Sequence, residues 1–290
     1  MKQTILQRVR KTFKKTNFAR VCVFILFFLW CGSFVVGLGW ALLTSLNEET
    51  WLYVNPLALP KEWKFENYLT VFISLNTNNS SFLDMVWNSL WLTFGGEAIS
   101  LAFLLMAGYS LGNFQFKGRN AIVVAIVILL MIPVYGTDSA RLMLYMDLKL
   151  YNSPLILITN AGALSGTTLI IMTFFQGLSP AYEEAAKIDG AGYWTVFLKI
   201  HLPMIIPSIG ALALMDLIAR WNNYTISVYY LPDFPTFASG LYELESNTHF
   251  ILGGRPVYFA GVILCSIPPI IVFSIFRQKI MTSITIGGVK

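Results

Sequence analysis

The chain has 290 residues, of which 56% are apolar and only 12% charged, with a formal net charge of +5. That charged fraction is about half the roughly 25% usual in soluble proteins. So much apolar surface could not be hidden in a soluble core, which excludes a soluble enzyme or binding module and indicates an integral membrane protein. The positive balance does not point to nucleic acid, because its placement follows the pattern of membrane topology.

Residues 1–20 hold seven of the basic residues, Lys2, Arg8, Arg10, Lys11, Lys14, Lys15 and Arg20, and no acid. Val21 to Leu46 follows as an uncharged run of 26 residues. The core of a secretory leader is only about 7–15 residues long, so this run reads as a first transmembrane helix and not a cleaved leader. Residues 47–81 are polar and turn-rich and read as an external loop. Phe82 to Leu111 is a second span, longer than a bilayer needs and therefore tilted or extended beyond it. A short basic turn, Asn113 to Asn120, is cytoplasmic, and Ala121 to Tyr135 is the third span, with Pro133 expected to kink or stop it. An external loop at 136–154, a fourth span from Leu155 to Phe175 and a cytoplasmic loop at 176–201 come next. The fifth span is read from Leu202 to about Val228, an external loop at 229–256 and the sixth span from Val257 to Phe276. The tail, 277–290, returns to the cytoplasm.

This arrangement puts fourteen basic residues in cytoplasmic segments and five in external ones, with Arg220 inside a span. The bias agrees with the positive-inside rule. The expected fold is an all-α polytopic membrane protein with six transmembrane helices, residues 21–276, and both termini in the cytoplasm.

The polar island Ser179 to Pro207 reads as two short helices around a glycine break. Ser179 can cap the first helix with Pro180 at its first position, where a missing N–H costs nothing. Glu183 and Glu184 lie early, where the helix dipole favours carboxylates. Ala181 and Ala185 share a small face that a partner can approach closely. Gly190 ends the helix, glycine being suited to the left-handed conformation of a sharp stop.

Within the spans, ionisable residues are functional candidates because they are costly there. Asp216 and Arg220, four residues apart, share a helical face and read as an internal neutralising pair. Glu97 has no partner evident from the sequence and faces either the bundle or a partner subunit. Trp221, Asn222, Asn223 and Tyr224 close the fifth span. They suit an interfacial aromatic anchor, and equally the lining of a solute pathway, where rings stack on sugar C–H faces and amides bond to hydroxyls. Trp87 and Trp91 are packing or belt residues. The chain holds no nucleophile–base or metal-ligand constellation and no phosphate-cradling G-x-x-x-x-G-K-[ST]. Catalytic and metal residues are therefore expected to be none. An ion-coupled transporter would use Asp216 and Glu97 but should show paired internal repeats, and none is seen. For an enzyme within the membrane, His201 and His249 are too sparse.

One string is specific. Glu184-Ala185-Ala186, three residues, Gly190, nine residues, then Ile200-x-Leu202-Pro203 resembles the EAA motif of the membrane subunits of bacterial ABC importers. The longer EEAAKIDGA resembles the carbohydrate branch, the maltose-type permeases. Asn88-Ser89-Leu90, the 113–120 turn, Trp221-Asn222 and the tail ITIGGVK extend the likeness from about Val21 to the end. The insert near Ser74 to Ser81 and Thr282-Ser283 depart from it.

The resemblance implies a second permease chain, two cytoplasmic ATPase subunits and an extracellular or periplasmic sugar-binding protein, all meeting in a lipid membrane. It implies no cofactor on this chain, ATP and magnesium residing on the partner ATPases. The EAA helix, placed between the fourth and fifth spans, would couple to the ATPase through Glu183, Glu184, Ala185, Ala186, Asp189 and Gly190.

Overall fold

The computed structural model describes residues 2–75, 80–132, 135–246 and 254–287, and these are helical throughout their ordered elements, with no β-strand element. The expected kink at Pro133, the Asn76 to Asn79 part of the first external loop, His249 and the last residues of the tail lie outside the described residues. Among the described residues, four helices are long and apolar enough to cross a membrane: Arg20–Ser45, Phe82–Asn113, Tyr193–Trp221 and Gly254–Arg277. Two shorter apolar helices, Arg119–Met131 and Gly166–Gln176, stand between them in sequence.

The chain divides into two compact units. One comprises residues 1–71 and 248–263, the other residues 72–247 and 264–290.

In the first unit, α1 (Lys2–Ser45) carries large side chains such as Phe24, Phe28 and Trp30 on an almost wholly exposed surface. A helix that apolar on all sides belongs in lipid or against another chain. Its C-terminal end is fixed by a polar knot. The Asn67 side-chain amide donates to the carbonyls of Ser45 and Asn47, both at 2.9 Å, and the Ser45 and Tyr68 hydroxyls lie 2.7 Å apart. The region read as a plain external loop holds two helices, α2 (Glu49–Val54) and the start of α3 (Glu66–Ser74).

The second unit is built around α4 (Phe82–Asn113), whose 32 residues span about 48 Å at 1.5 Å each. A capping box starts it, Ser81 and Asp84 each bonding to the other's backbone N–H. Its buried positions, among them Ser89, Thr93, Gly96, Ser100 and Gly108, recur every three or four residues and are small, so neighbours come close. A Cβ on Gly108 would stand 2.6 Å from Ile171 Cγ2, and one on Gly112 would stand 3.1 Å from the Met172 carbonyl oxygen. Those contacts belong to α8 (Gly166–Gln176), which packs along α4 more extensively than any other element. The helix α5 (Arg119–Met131) reaches α8 as well, but at 13 residues it spans only about 20 Å.

Two expectations need correction. The segment 155–175, expected to be the fourth span, is not one helix. It is α7 (Ile156–Thr159), a break at 160–165 and then α8, with Gly162 at φ +67°. The break survives because its polar groups are satisfied locally. Ser100 donates to the Ala161 carbonyl, Thr168 to that of Ala163, and Ser165 with Thr168 starts the new helix.

The helix that holds the expected fifth span starts at Tyr193, before Leu202, and ends at Trp221, short of Val228. It begins as α10 (Tyr193–Val196), passes through a π-helical stretch, Phe197–His201, and continues as α11 (Leu202–Trp221). Pro203 lacks the N–H that would bond to the Lys199 carbonyl, and the widened turn falls where that bond is missing. A separate helix, α12 (Thr225–Tyr229), follows the three residues after Trp221.

The last helix, α14 (Gly254–Gly287), contains the expected sixth span: its apolar, membrane-length part is Gly254–Arg277, and the helix runs on to Gly287. Pro268 and Pro269 lie inside it.

Two further helices occupy the segments read as external loops, α6 (Asp138–Asp147) and α13 (Phe237–Ser246). The Asn88-Ser89 pair of α4 anchors the approach to α13. The Asn88 amide donates to the Pro235 carbonyl at 3.1 Å, and the Phe237 N–H donates to the Ser89 hydroxyl at 2.7 Å.

Candidate functional site

Two regions of the second unit carry the candidate residues. The first is α9 (Pro180–Ile188) with the turn that follows. Pro180 occupies its first turn, whereas Ser179 stands at the cap position without a side-chain capping bond, contrary to the sequence reading. The stop is a Schellman motif: the Ala191 N–H bonds to the Ala186 carbonyl, the Gly190 N–H to that of Lys187, and Gly190 has φ +80°.

The two faces of α9 differ. Ala186 is buried, while Ala181, Glu184, Ala185, Ile188 and Asp189 are exposed. Glu183 turns sideways to Lys187 at 2.7 Å, and the Lys187 ammonium also lies over the Tyr193 ring at 5.2 Å. The Glu183 hydrogen bond is the main reason that the Lys187 ammonium is held above its ordinary pKa. Glu184 is thus left facing outward on a small-residue surface formed by Ala181 and Ala185.

Joined to α9 through Tyr193, whose ring takes the Lys187 ammonium and meets Phe114, is an aromatic cluster missed by the sequence reading. Tyr109 of α4 makes ring contacts with Phe114, Phe175, Phe197 and His201, with centroids 4.6–5.6 Å apart. Asn113 and His201 side chains meet at 3.2 Å. The ends of α4, α8 and the π-helical stretch are therefore packed on one ring. The available signal was the recurrence of aromatic residues at every helix end around the polar island.

The second region is a cluster of charge. Arg220 Nε lies 2.8 Å from Asp216 Oδ2 on its own helix and 3.2 Å from Glu97 Oε2 on α4. Glu97 is 6% exposed, and no donor among the described residues reaches its Oε1. These groups line an open cavity of about 460 Å³ together with Ser100, Asn160, Ser165 and Thr167. The break between α7 and α8 thus supplies polar groups to the same cavity. A second cleft of about 270 Å³ shares Asn160, Asp216, Ala219 and Arg220 with it and continues to Asp138, Arg141, Asn223 and Tyr230. Tyr230 donates to Asp138 at 2.9 Å, and its hydroxyl, pushed up to about 12 by burial and then by that bond, stays protonated and a donor across physiological pH.

The four residues from Trp221 to Tyr224 do not share one surface. Trp221 is 4% exposed and donates its indole N–H to the Cys265 carbonyl of α14 at 3.0 Å. Asn222, Asn223 and Tyr224 are exposed, Asn223 lines the second cleft, and Tyr224 stacks on Tyr242 with centroids 4.6 Å apart.

Long apolar helices, a broken apolar helix beside a polar cavity and an exposed short helix ended by glycine define a multi-pass helical membrane protein. A family model described as "Binding-protein-dependent transport system inner membrane component" matches residues 104–284, more than half the chain. The chain belongs to that family and is accordingly a membrane subunit, not a catalytic unit.

Among individual proteins, it is 27% identical over 266 residues to the diacetylchitobiose uptake system permease protein NgcG of Streptomyces coelicolor, covering 90% of this chain and 86% of that one. It is 29% identical over 257 residues to the arabinooligosaccharides transport system permease protein AraQ of Halalkalibacterium halodurans, covering 86% and 88%. A solved bacterial ABC transporter involved in importing the acidic polysaccharide alginate has the same fold, with a TM-score of 0.72 at 20% identity over 88% of this chain and 93% of the matched chain.

Proposed function

We propose that this chain is one of two permease chains of an ATP-driven importer that carries neutral sugars or oligosaccharides inward. The observation that carries the reading is the family match across residues 104–284, which contains the whole of α9 and its glycine stop. The saccharide class is supported by relatives named for diacetylchitobiose, arabinooligosaccharides, galactooligosaccharides and maltodextrin.

In this reading there are six spans: α1, α4, α5, α7 with α8, α10 with α11, and α14. Residues 1–20 and 277–290 are cytoplasmic, as is the loop 176–201, while 47–81, 136–154 and 229–256 face outward. Irregular backbone at 160–165 is tolerable at membrane depth because it lines a polar cavity.

The helix α9 docks in a groove of an ATPase subunit through Glu184, Ala185 and Asp189. Ala186 and the Glu183–Lys187 pair fix it to its own chain, and Gly190 sets its angle. ATP and magnesium are held by two ATPase partners, and a binding protein delivers solute from outside. When the ATPases close, the contact of α9 through Lys187 and Tyr193, whose ring meets Phe114 beside Tyr109, passes the movement to α4 and α8. Asn222, Asn223 and Tyr224 line the outer part of the pathway, and Trp221 holds that segment against α14.

A strain deleted for this chain should lose uptake of one labelled neutral oligosaccharide and regain it on complementation. Unchanged uptake of all four classes named above would sink the substrate reading. The buried charges beside a broken helix also suit an ion-coupled carrier. That alternative predicts uptake abolished by an uncoupler while cellular ATP is held constant, whereas the importer reading predicts uptake that persists.

A further inference from the structure

We propose that Trp221 is a positioning residue: its indole N–H replaces the amide proton that Pro269 cannot supply, pinning a hinge in α14 that the transport cycle uses. The use in transport rests on the importer reading, whereas the pin stands on this chain alone.

Helix α14 carries Pro268 and Pro269 side by side in its interior. In an α-helix each amide bonds to the carbonyl four residues earlier, and proline has no amide proton to give. Pro268 therefore removes the helical donor for the Leu264 carbonyl, and Pro269 removes the one for Cys265. A carbonyl stripped of its donor is costly in an apolar interior, so a neighbouring helix has to supply a substitute. Trp221 of α11 does so. Its Nε1 donates to the Cys265 carbonyl at 3.0 Å, and both residues are buried. The indole is a donor with no acceptor role, so each group answers the other's need. Of all the carbonyls along α14, the one that Trp221 meets is one of the two that the prolines release.

Two further observations make this point a hinge. The division of the chain into two compact units passes through α14 between Ile263 and Leu264, directly at the released carbonyls. A cleft of about 180 Å³ adjoins both prolines, bounded by Leu90 and Phe94 of α4 and by Leu217 and Trp221 of α11. Close packing resists the movement of a helix against its neighbours, while unfilled space beside a weakened turn leaves room for it. Prolines are where helices bend, and residues 270–287 form the arm beyond this pair. Trp221 fixes the pivot while the arm moves.

The test is a double-mutant cycle in the complete permease–ATPase complex, read first as the melting midpoint in detergent. Trp221→Phe keeps a buried ring and removes the donor. Incorporating 3-benzothienylalanine at position 221 removes the donor with almost no change of shape. Both should lower the midpoint by several degrees. Pro269→Ala returns an amide proton to the Cys265 carbonyl, so in that background the same replacements should cost much less. Equal loss in both backgrounds, or no loss from the benzothienyl side chain, overturns the pin. If the Pro269→Ala chain does not assemble, the benzothienyl variant alone decides.

The hinge is read from ATP-driven uptake of labelled diacetylchitobiose, arabinotriose, galactobiose and maltotriose into proteoliposomes supplied with the binding protein. Pro268→Ala combined with Pro269→Ala lets α14 run unbroken. It should hold or raise the midpoint and retain the ATPase, yet lower uptake severalfold. If that chain loses the ATPase, Pro268→Ala alone, which leaves the Trp221 bond in place, is measured instead. Uptake at the unmodified rate overturns the hinge and leaves the pin. If the unmodified complex takes up none of the four sugars, the importer reading fails, and the midpoints still decide the pin.

Discussion

Gly190 has φ +80° with open space where a Cβ would stand, so a side chain there is opposed by backbone conformation and not by a neighbour. Gly190→Val should introduce strain of about 1–3 kcal/mol, relieved by re-aiming α9. Uptake should be largely lost with the chain still inserted, measured by transport and membrane fractionation of the same cells. Gly108 is the opposite case, since its φ is ordinary and its Cβ position lies 2.6 Å from Ile171. Gly108→Val should push α8 away from α4 and lower stability by about 1–3 kcal/mol, read as a reduced melting midpoint in detergent. Local chemistry made the first glycine legible from sequence, because proline at a helix start and glycine at its stop are signals carried by the residues themselves. The second was not, because the partner that makes Gly108 necessary is 63 positions away.

At the scale of elements, α9 offers the cleanest separation of charge from shape. Glu184 is exposed beside two alanines, and Glu183 is occupied by Lys187. Glu184→Lys should therefore weaken ATPase association more than Glu183→Gln does, with the larger loss at low ionic strength, where repulsion is least screened. Co-purified ATPase quantified at two salt concentrations checks this, and equal loss from both variants would contradict the assigned faces.

The other elements show where sequence reading stops. Residues 155–175 look like one apolar span because hydropathy averages over Asn160-Ala161-Gly162 and Ser165-Gly166, the residues at which the helix breaks. The join of α10 to α11 was masked by Pro203, which read as a helix start but directly follows the π-helical turn, with Pro207 inside α11. Glu97 found its partner in Arg220, 123 residues on, which no local pattern encodes. Trp221 read as a surface aromatic because polar residues follow it, yet the carbonyl that takes its N–H lies on α14.

For the whole molecule, composition and the distribution of basic residues made the membrane class legible, while the placement of partners around it belongs to surfaces that one chain leaves open. The orientation proposed here is tested by single cysteines in a chain without the native three. Sites at Lys117 and Thr195 should resist an impermeant thiol reagent in intact cells, and sites at Leu57 and Lys149 should react. The central claim, that α9 is the joint to an ATPase, is tested most directly by cross-linking. A photoreactive residue at Ala185, exposed on the outward face of α9, should yield on illumination of intact membranes a covalent product with an ATPase subunit. ATP bound under non-hydrolysing conditions should alter that yield. A complex that carries out ATP-driven uptake yet gives no ATPase adduct from Ala185, and gives one from Leu57 instead, would contradict the account.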